Sequence, residues 1–334
     1  MNILGIETSC DETAAAVVSG GSIVRSSVVA SQAAVHHPYG GVVPELASRK
    51  HLEAISQVVF EAIDRSGMQS SQIDAVAVTQ GPGLIGALLV GFSFAKAYAY
   101  ALGIPCVGVN HLEGHIHSVF LDAVFPDFPF VALLVSGGHT GIYHVTSHTG
   151  CELMGQTRDD AAGEAFDKVA KMLGLGYPGG VEIEAISRTG NPLRIQFPRP
   201  YLDKADSDFS FSGLKSAVRR YVETHDFKEN IPDIVAGFQE AVADVLTFKL
   251  TQAALSRQCG RIAVVGGVAA NSRLREKVMA SAAEKELSVF IPSLAFCGDN
   301  AAMIAAAGYH NLRAGHVCSL TDDVYSKVMT LQHP

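Results

Sequence analysis

The sequence predicts an α/β protein made of two similar halves around a central nucleotide cleft. The first observation behind this is a repeated layout. Residues 2–18 form an apolar run, a short polar turn and a second apolar run, and residues 130–145 repeat that layout with Gly137 and Gly138 at the turn. Each stretch is typical of a β-hairpin whose turn exposes hydroxyls and backbone N–H groups.

A second repeated unit follows each predicted hairpin. Residues 73–101 and residues 261–283 each contain a β-branched run of the buried-strand type, then glycines, then a helical pattern. Glycine allows the chain to turn sharply from a strand into a helix. Two halves that each combine a hairpin with a strand–glycine–helix unit therefore indicate two duplicated lobes.

The duplication gives the expected lobe boundaries. We expect the first lobe to span about residues 1–125 together with a C-terminal helix at 301–334, and the second lobe to span residues 126–300. The second lobe carries a helical insert at about residues 151–258.

Two parts of the insert have a clear pattern. Residues 232–255 form a long amphipathic helical pattern. Residues 188–212 are rich in Pro, Arg and Asp, which is typical of an ordered surface loop.

Charge and cysteine usage narrow the class of protein. The chain has 334 residues and a formal net charge of −8, so no global positive field attracts nucleic acid. A polyanion would have to bind through local basic clusters or through a partner. The six cysteines are scattered without a C-x-x-C pair, which fits a reducing cytosol. We expect no apolar run to reach the ~18–20 residues that span a bilayer, and therefore a cytoplasmic protein without a membrane partner.

Three basic clusters are candidates for contact with a phosphate backbone. Ordinary solvated surface is the alternative for each of them. The clusters are Arg188, Arg194, Arg199 and Lys204 in the Pro-rich loop, Lys215, Arg219 and Arg220 on a predicted helix, and Arg273, Arg275 and Lys277 after a glycine turn.

Three glycine turns in the second half favour a nucleotide site. They lie at residues 136–138, 176–180 and 264–271, each after an apolar strand or before a helix. Backbone N–H groups at such turns can approach phosphate and ribose, although plain turn glycines remain the alternative. None matches a P-loop. "GPGLIG" at 81–86 has Rossmann-like spacing, but no acidic residue follows at a ribose distance, so we interpret it as a packing device.

A histidine cluster is the strongest candidate for a metal site. On a helix, His111 and His115 project from the same face one turn apart, while His117 points away. "HLEGH" differs from the protease pattern H-E-x-x-H, because Glu113 stands one position late and leaves the metal face. Asp299, at the start of an Ala-rich helix, is the best remote third ligand. Structural imidazoles without a metal are the alternative.

The first predicted turn offers carboxylates for proton transfer. Glu7, Asp11 and Glu12 lie in "ETSCDETA", and in a two-lobed nucleotide fold this hairpin would face the cleft. Their carboxylates could orient a nucleophile or accept a proton. Turns also favour acidic residues for purely conformational reasons.

Eight short motifs, taken together, carry a family resemblance over essentially the whole chain. They are "GIETSCDETAAAVV", "YGGVVPELASRKH", "QGPGLIGALLVG", "NHLEGHIHS", "LLVSGGHT", "GEAFDKVAKMLGLGYPGG", "FSFSGLKSAV" and "CGDNAAMIA". This set resembles the bacterial tRNA N6-adenosine threonylcarbamoyltransferase family, some of whose members were formerly labelled O-sialoglycoprotein endopeptidases. The resemblance implies an actin-like fold of the hexokinase and Hsp70 type.

The resemblance also implies an activity and its components. The activity is transfer of a threonylcarbamoyl group from threonylcarbamoyl-AMP to N6 of the adenosine 3′ to the anticodon, in tRNAs that read codons beginning with A. The implied cofactors are one divalent metal per subunit, iron or zinc, and an adenine nucleotide, either threonylcarbamoyl-AMP or ATP. The implied partners are tRNA, a paralogous inactive subunit, a small P-loop ATPase and an upstream threonylcarbamoyl-AMP synthase.

Individual residues match the family's functional positions. His111, His115 and Asp299 match the metal ligands. Departures are Val181 where Pro is usual, Glu184 where many relatives have Asp, and Gly298 before the metal-binding Asp. The positions that match substrate contacts are Leu134, Val135, Ser136, Gly137, Gly138, Asp167, Gly180, Glu184 and Asn271.

These matches give a mechanistic hypothesis. The metal binds the carboxylate or carbonyl of the threonylcarbamoyl group, Asp167 binds ribose hydroxyls, and residues 136–138 with Asn271 hold the phosphate end and the nucleoside. Asp11 or Glu12 accepts the amine proton. The rival functions are a metalloprotease, a small-molecule kinase of the same fold, and an inert nucleotide-binding scaffold.

Overall fold

A computed structural model describes residues 1–200 and 206–327 of the chain. Within these residues there are ten strands and eleven α-helices. The strands are β1 Asn2–Glu7, β2 Glu12–Ser19, β3 Ile23–Ser31, β4 Ala75–Gly81, β5 Cys106–Asn110, β6 Phe130–Val135, β7 Thr140–Val145, β8 Cys151–Gln156, β9 Arg261–Val265 and β10 Ser288–Phe290. The helices are α1 Ala33–His36, α2 Pro44–Arg65, α3 Ile85–Leu102, α4 His111–His117, α5 Ala162–Met172, α6 Gly179–Ser187, α7 Ser212–Thr224, α8 Ile231–Ser256, α9 Ser272–Glu284, α10 Leu294–Cys297 and α11 Ala301–Arg313.

The two sheets share one strand order, which confirms the predicted duplication. The first sheet runs β3-β2-β1-β4-β5 and the second β8-β7-β6-β9-β10. In the first, β1 forms an antiparallel hairpin with β2 and pairs in parallel with β4. In the second, β6 forms an antiparallel hairpin with β7 and pairs in parallel with β9. Both predicted hairpins and both strand–glycine–helix units are therefore present.

The chain divides into two compact units. Among the described residues, the first unit comprises Met1–Phe125, Ser147–Cys151 and those from Pro292 onward, and the second comprises Pro126–Thr146 and those between Glu152 and Ile291. The division differs from the boundaries expected from the sequence in two stretches, residues 147–151 and 292–300, which belong to the first unit. The second stretch contains Asp299.

Helix α11 packs tightly against the first sheet. Its Ala-rich stretch from Ala301 to Ala307 is completely buried. A Cβ added at Gly5 of β1 would overlap the Ala301 carbonyl oxygen and would come within 2.9 Å of the Ala305 Cβ. Only glycine at this point of β1 allows the helix to lie this close to the strand.

Helix α8 is the buried helix of the second unit, and here the amphipathic prediction was wrong. The structure buries most of its residues, including the polar side chains of Gln239, Glu240 and Lys249. Glu240 is compensated by Arg273 at 2.7 Å, and Lys249 donates to the Asp206 carbonyl at 2.5 Å. Because these polar groups find partners on other elements, no solvated helix face is needed.

The Pro-rich loop is anchored by ion pairs. Arg194 pairs with Asp233 at 2.8 Å, and Arg199 pairs with Asp244 at 3.0 Å. The predicted loop at 188–212 includes residues 201–205, so Lys204 lies outside the described residues.

The expectation that no apolar run could span a bilayer was wrong for one helix. Among the described residues, Ile85–Leu102 of α3 is long and apolar enough by length and composition, and 33% of it is buried. Core helices pass the same criterion, and α3 packs against β4 and α2 through Phe92 and Ala95.

We expect Gly5→Ala to destabilise the protein by about 1–3 kcal/mol, because the new methyl group overlaps α11 and forces it away from β1. The matched control is Gly213→Ala on α7, where an added Cβ meets no atom within 4 Å. Alanine there should stabilise by up to about 1 kcal/mol through helix propensity. Urea denaturation measures both changes, and a neutral Gly5→Ala variant would contradict the packing argument.

Candidate metal centre and glycine turns

Helix α4 presents two histidines at its start. It begins directly after β5, where the Asn110 side chain caps it by accepting a hydrogen bond from the Leu112 N–H at 2.8 Å. His111 and His115 are buried on one face, with ring centroids 4.7 Å apart. The same-face geometry expected from their spacing is therefore present.

Asp299 reaches this histidine pair from the segment before α11. Its Oδ1 atom lies 3.2 Å from Nε2 of His115 and 3.5 Å from Nε2 of His111. Ligand atoms of the three residues all lie within 4.8 Å of one another. Asn300 fixes the chain here, since its side chain accepts a hydrogen bond from the Met303 N–H at 3.0 Å and caps α11.

Glu7 at the end of β1 orients the His111 ring. His111 Nδ1 lies 3.0 Å from Glu7 Oε2, which also accepts a hydrogen bond from the Thr79 hydroxyl at 2.5 Å. The other carboxylate oxygen accepts from the Ser9 N–H at 2.5 Å. A carboxylate on the far nitrogen of a ligating histidine fixes its tautomer and ring orientation. From the sequence, Glu7 was predicted only as a turn carboxylate for orienting a nucleophile or accepting a proton, and its contact with His111 was not anticipated.

The electrostatics of the pair are unequal. Burial acts to lower the pKa of His111, but the Glu7 and Asp299 carboxylates outweigh it and raise the pKa to about 9. Burial lowers the pKa of His115 despite the nearby Asp299 carboxylate. The side chain of His115 is fully buried, and neither ring nitrogen has a partner with hydrogen-bond geometry among the described residues.

The donor set fits a divalent metal ion. Two imidazole nitrogens and one carboxylate oxygen are common ligands of divalent metal ions and leave coordination positions open. The inward-facing Nε2 atom of His115 is a buried nitrogen without a hydrogen-bonding partner, as a metal ligand would be before it binds its ion. The residues present could therefore hold a metal.

The remaining polar residues of α4 face elsewhere. His117 donates a hydrogen bond from Nδ1 to the Glu113 carbonyl at 2.8 Å and packs near His148 and His310. The Glu113 carboxylate accepts a hydrogen bond from Asn311 at 3.5 Å. Glu113 is thus not the general base of a zinc protease, in agreement with its displaced position in the motif.

The hydroxyls of the first hairpin turn are buried, and the expectation that they would be exposed was wrong. Thr8 donates to the Ala87 carbonyl at 2.9 Å, and Ser9 lies 3.2 Å from His111 Nδ1. Thr13 contacts His51 Nδ1 at 2.8 Å. These hydroxyls join the turn to three helices, which holds it in place.

Glu12 is the carboxyl group of this turn that titrates near neutrality. Its Oε1 accepts a hydrogen bond from Ser31 at 2.8 Å, while Oε2 is buried without a partner among the described residues. Burial, with the Asp11 and Asp299 charges, raises the pKa of Glu12 to about 7. Asp11, the other candidate base, is half-buried. Burial raises the pKa of the Cys10 thiol, which argues against a nucleophilic cysteine.

The glycines of residues 81–86 are packed against other chain segments. A Cβ at Gly83 would lie 2.7 Å from the Ser9 carbonyl, and one at Gly86 would overlap the Ser48 hydroxyl. This confirms their interpretation as a packing device.

The turn at residues 136–138 is open in the second unit. Gly137 and Gly138 are exposed, and an added Cβ at either would meet no atom within 4 Å. The Ser136 carbonyl accepts a hydrogen bond from the Gly163 N–H at 3.2 Å, which places the start of α5 beside the turn. Leu134 and Val135 precede the turn in β6, where their side chains are completely buried in the core.

The other residues of the second unit that were expected to contact the substrate connect helices to one another. The Asp167 carboxylate accepts from the Gly179 N–H at 2.8 Å, at the start of α6, and the neighbouring Gly180 is open. Glu184 accepts from the Ser272 hydroxyl at 2.6 Å. Asn271 caps α9 and donates to Gln239 at 2.7 Å.

Most of the predicted basic clusters are neutralised by carboxylates. Lys215 pairs with Asp160 at 2.6 Å, and Arg219 pairs with Glu223 at 2.7 Å. Arg220 is exposed and forms no ion pair with any residue that the structure describes, and Arg275 donates to the Ala269 carbonyl at 2.6 Å. The other pairs are Arg188–Glu184, Arg194–Asp233, Arg199–Asp244, Arg273–Glu240 and Lys277–Glu240.

Comparison with solved structures shows the fold. HypF from T. kodakarensis superposes with a TM-score of 0.63 at 14% identity, over 94% of this chain and 48% of that chain. The activator of the 2-hydroxyisocaproyl-CoA dehydratase from Clostridium difficile with bound ADPNP superposes with a TM-score of 0.56 at 16% identity. The superposition covers 94% of this chain and 97% of that chain. The chain has the same actin-like ATPase fold.

Comparison with sequences shows the family. The family model described as TsaD, tRNA N6-adenosine threonylcarbamoyltransferase, matches residues 23–306. The enzyme of that name from Desulforapulum autotrophicum is 61% identical over 99% of this chain and 100% of its own length, and the one from Syntrophobacter fumaroxidans is 55% identical over 95% and 96%. The chain therefore belongs to the tRNA N6-adenosine threonylcarbamoyltransferase family.

Proposed function

We propose that this chain transfers the threonylcarbamoyl group of threonylcarbamoyl-AMP to N6 of the adenosine 3′ to the anticodon, in tRNAs that read codons beginning with A. The observation that carries this proposal is the convergence of His111, His115 and Asp299 in the first unit. In the reaction N6 attacks the carbamoyl carbon, a C–N bond forms, the bond to the phosphate oxygen breaks, and AMP leaves. The exocyclic amine is a poor nucleophile, so positioning and charge stabilisation supply most of the acceleration.

One divalent iron or zinc ion per subunit is the proposed occupant of the histidine–aspartate cluster. When bound, such an ion polarises a carbonyl or holds a carboxylate of the substrate. His111 and His115 supply Nε2 donors, and Asp299 supplies an oxygen. Glu7 accepts the Nδ1 proton of His111, so Nε2 is the unprotonated nitrogen, and it faces Asp299.

The adenylate part of the donor is assigned to the second unit. The open turn at 136–138 and the start of α6 at Gly180 offer backbone N–H groups to a phosphate. Asp167 and Gly180 lie at the α5–α6 junction, where a ribose would bind. Asn271 and Glu184 hold the start of α9 beside it. Leu134 and Val135 can contribute only through the main chain, because their side chains are buried.

Glu12 is the proposed acceptor of the amine proton. A general base works best when its pKa lies near the working pH. The raised pKa of Glu12, about 7, meets that condition, and its Oε2 atom has no hydrogen-bond partner among the described residues.

The proposed setting is cytoplasmic, with a paralogous inactive subunit, a small P-loop ATPase and an upstream threonylcarbamoyl-AMP synthase as partners. A groove of about 440 Å³ between α2 and α3 supports a protein partner, since it is lined by apolar side chains. Leu52 and Leu89 in it are 66% and 41% exposed, which favours cover by another subunit. We assign this groove to the paralogue.

The first test concerns the convergence of His111, His115 and Asp299. A variant with His111→Ala and His115→Ala should lose transfer of the threonylcarbamoyl group to tRNA by at least about 100-fold, because two of three metal ligands are gone. Mass spectrometry of tRNA nucleosides measures the product, and circular dichroism checks the fold. Full activity in a folded double variant would contradict the proposal.

The second test concerns Glu7. We expect Glu7→Gln to weaken metal affinity by about 10–100-fold, because the amide holds the His111 ring less firmly and makes it a weaker donor. Competition with a chromogenic chelator measures the affinity directly. Glu113→Gln is the matched control, since Glu113 is a buried carboxylate on α4 that faces Asn311 instead. Equal metal affinities in the two variants would show that Glu7 does not support metal binding by His111.

The third test concerns proton transfer. Glu12 is protonated below its raised pKa and ionised above it, so the base form, and with it the transfer rate, should rise with pH through about 7. Glu12→Gln should abolish this limb of the pH–rate profile and lower the rate by about 100-fold at pH 8. Asp11→Asn should keep the limb. The opposite result would make Asp11 the base.

A further inference from the structure

A cavity of about 410 Å³ in the second unit is not accounted for by the candidate site. Its walls are residues 194–198 of the Pro-rich loop and the C-terminal half of α7, with Arg220, Tyr221 and His225 among the lining side chains. It is open to solvent and within the size range of small-ligand pockets, about 300–1,000 Å³.

No residue that the structure describes compensates the charge of Arg220. On the same helix, Lys215 and Arg219 are neutralised by Asp160 and Glu223, whereas Arg220 is exposed and forms no ion pair with any residue that the structure describes. Across the cavity, Arg194 is balanced by Asp233 at 2.8 Å. In a chain of net charge −8, a cation left free at the edge of a cavity favours an anionic ligand.

A rigid aromatic wall lies beside this cation. The rings of Tyr221 and His225 stack with centroids 4.2 Å apart and an interplanar angle of 5°, and the Phe197 ring meets Tyr221 edge-on at 6.3 Å. The His225 ring is fixed by contacts of its Nδ1 with the Thr224 hydroxyl at 2.9 Å and the Tyr221 carbonyl at 3.1 Å. The wall is thus arranged before any ligand binds.

We propose that this cavity binds one unpaired nucleotide of the tRNA substrate, with a backbone phosphate at Arg220 and the base against the Tyr221–His225 stack. A free arginine beside a preformed aromatic face is the combination that binds single-stranded RNA, because the base stacks and the phosphate pairs with the cation. A mononucleotide is also of a size that the cavity volume admits. The proposal rests on the proposed function, which makes tRNA the substrate.

The experiment measures tRNA binding by the full chain assembled with its partner proteins, using fluorescence anisotropy of a labelled tRNA transcript at several salt concentrations. Arg220→Ala should raise the Kd by about 3–10-fold and reduce the slope of log affinity against log salt by close to one. His225→Ala should raise the Kd by about 5–10-fold without changing the slope, and His225→Tyr should restore binding because it retains a stacking ring.

Arg219→Ala is the matched control. It removes the same charge one position away, but that charge is already neutralised by Glu223 and does not line the cavity, so the Kd should stay within twofold of wild type. The variants should bind threonylcarbamoyl-AMP like wild type and modify tRNA at the wild-type rate once tRNA saturates.

Two results would overturn the inference. The first is that Arg220→Ala and His225→Ala both bind tRNA with a Kd within twofold of the Arg219→Ala value. This result counts against the inference even if one of these variants no longer binds a protein partner. The other is loss of tRNA affinity with an unchanged salt slope in Arg220→Ala. Failure of the wild-type protein to modify any tRNA would instead reject the proposed function, so the two failures are distinguishable.

Discussion

The candidate centre depends on one buried contact, that between the Glu7 carboxylate and the His111 ring. Glu7 is completely buried, and an ionised carboxylate in such a place is costly unless it is paired and hydrogen-bonded. Three donors meet it, from Ser9, Thr79 and His111. The contact therefore joins β1, β4 and α4, and it determines which nitrogen of His111 points toward Asp299. Removing the carboxylate would take this acceptor from the Ser9 N–H and the Thr79 hydroxyl, and would leave the Ser9 hydroxyl as the remaining contact of His111 Nδ1.

The position of the third ligand follows from how closely α11 approaches the sheet. Asp299 stands two residues before α11, so its place is fixed by the contact of Ala301 and Ala305 with Gly5. Small residues on both sides of this contact bring the helix start to the end of β1, where Glu7 also lies. The Ala-rich composition of α11 thus has a consequence for chemistry, because a bulkier residue at Gly5 would move Asp299 away from the histidines.

The sequence allowed the local parts of this arrangement to be predicted. Spacing alone placed His111 and His115 on one helix face, and the repeated apolar layout predicted both hairpins and both sheets. Contacts between distant positions were harder. Glu7 and His111 are 104 positions apart, and nothing in the turn motif distinguishes a buried carboxylate from an exposed one. The same limit explains why the turn hydroxyls were expected in solvent, and why ion pairs of the basic clusters between distant positions, such as Arg273 with Glu240, were not anticipated.

The polar side chains of the two units have different contacts. This difference explains how Glu184 can stand where many relatives have Asp. In the first unit the polar side chains converge on the metal cluster. In the second, Asp167, Glu184 and Asn271 each bind another protein group at the start of a helix, and the glycine turn at 136–138 is left open. We infer that these side chains hold helix starts in place, while the open turn at 136–138 receives the nucleotide through its backbone N–H groups. The longer Glu184 side chain is then compatible with binding, because it reaches Ser272 at 2.6 Å and supports α9 without contacting the nucleotide sugar.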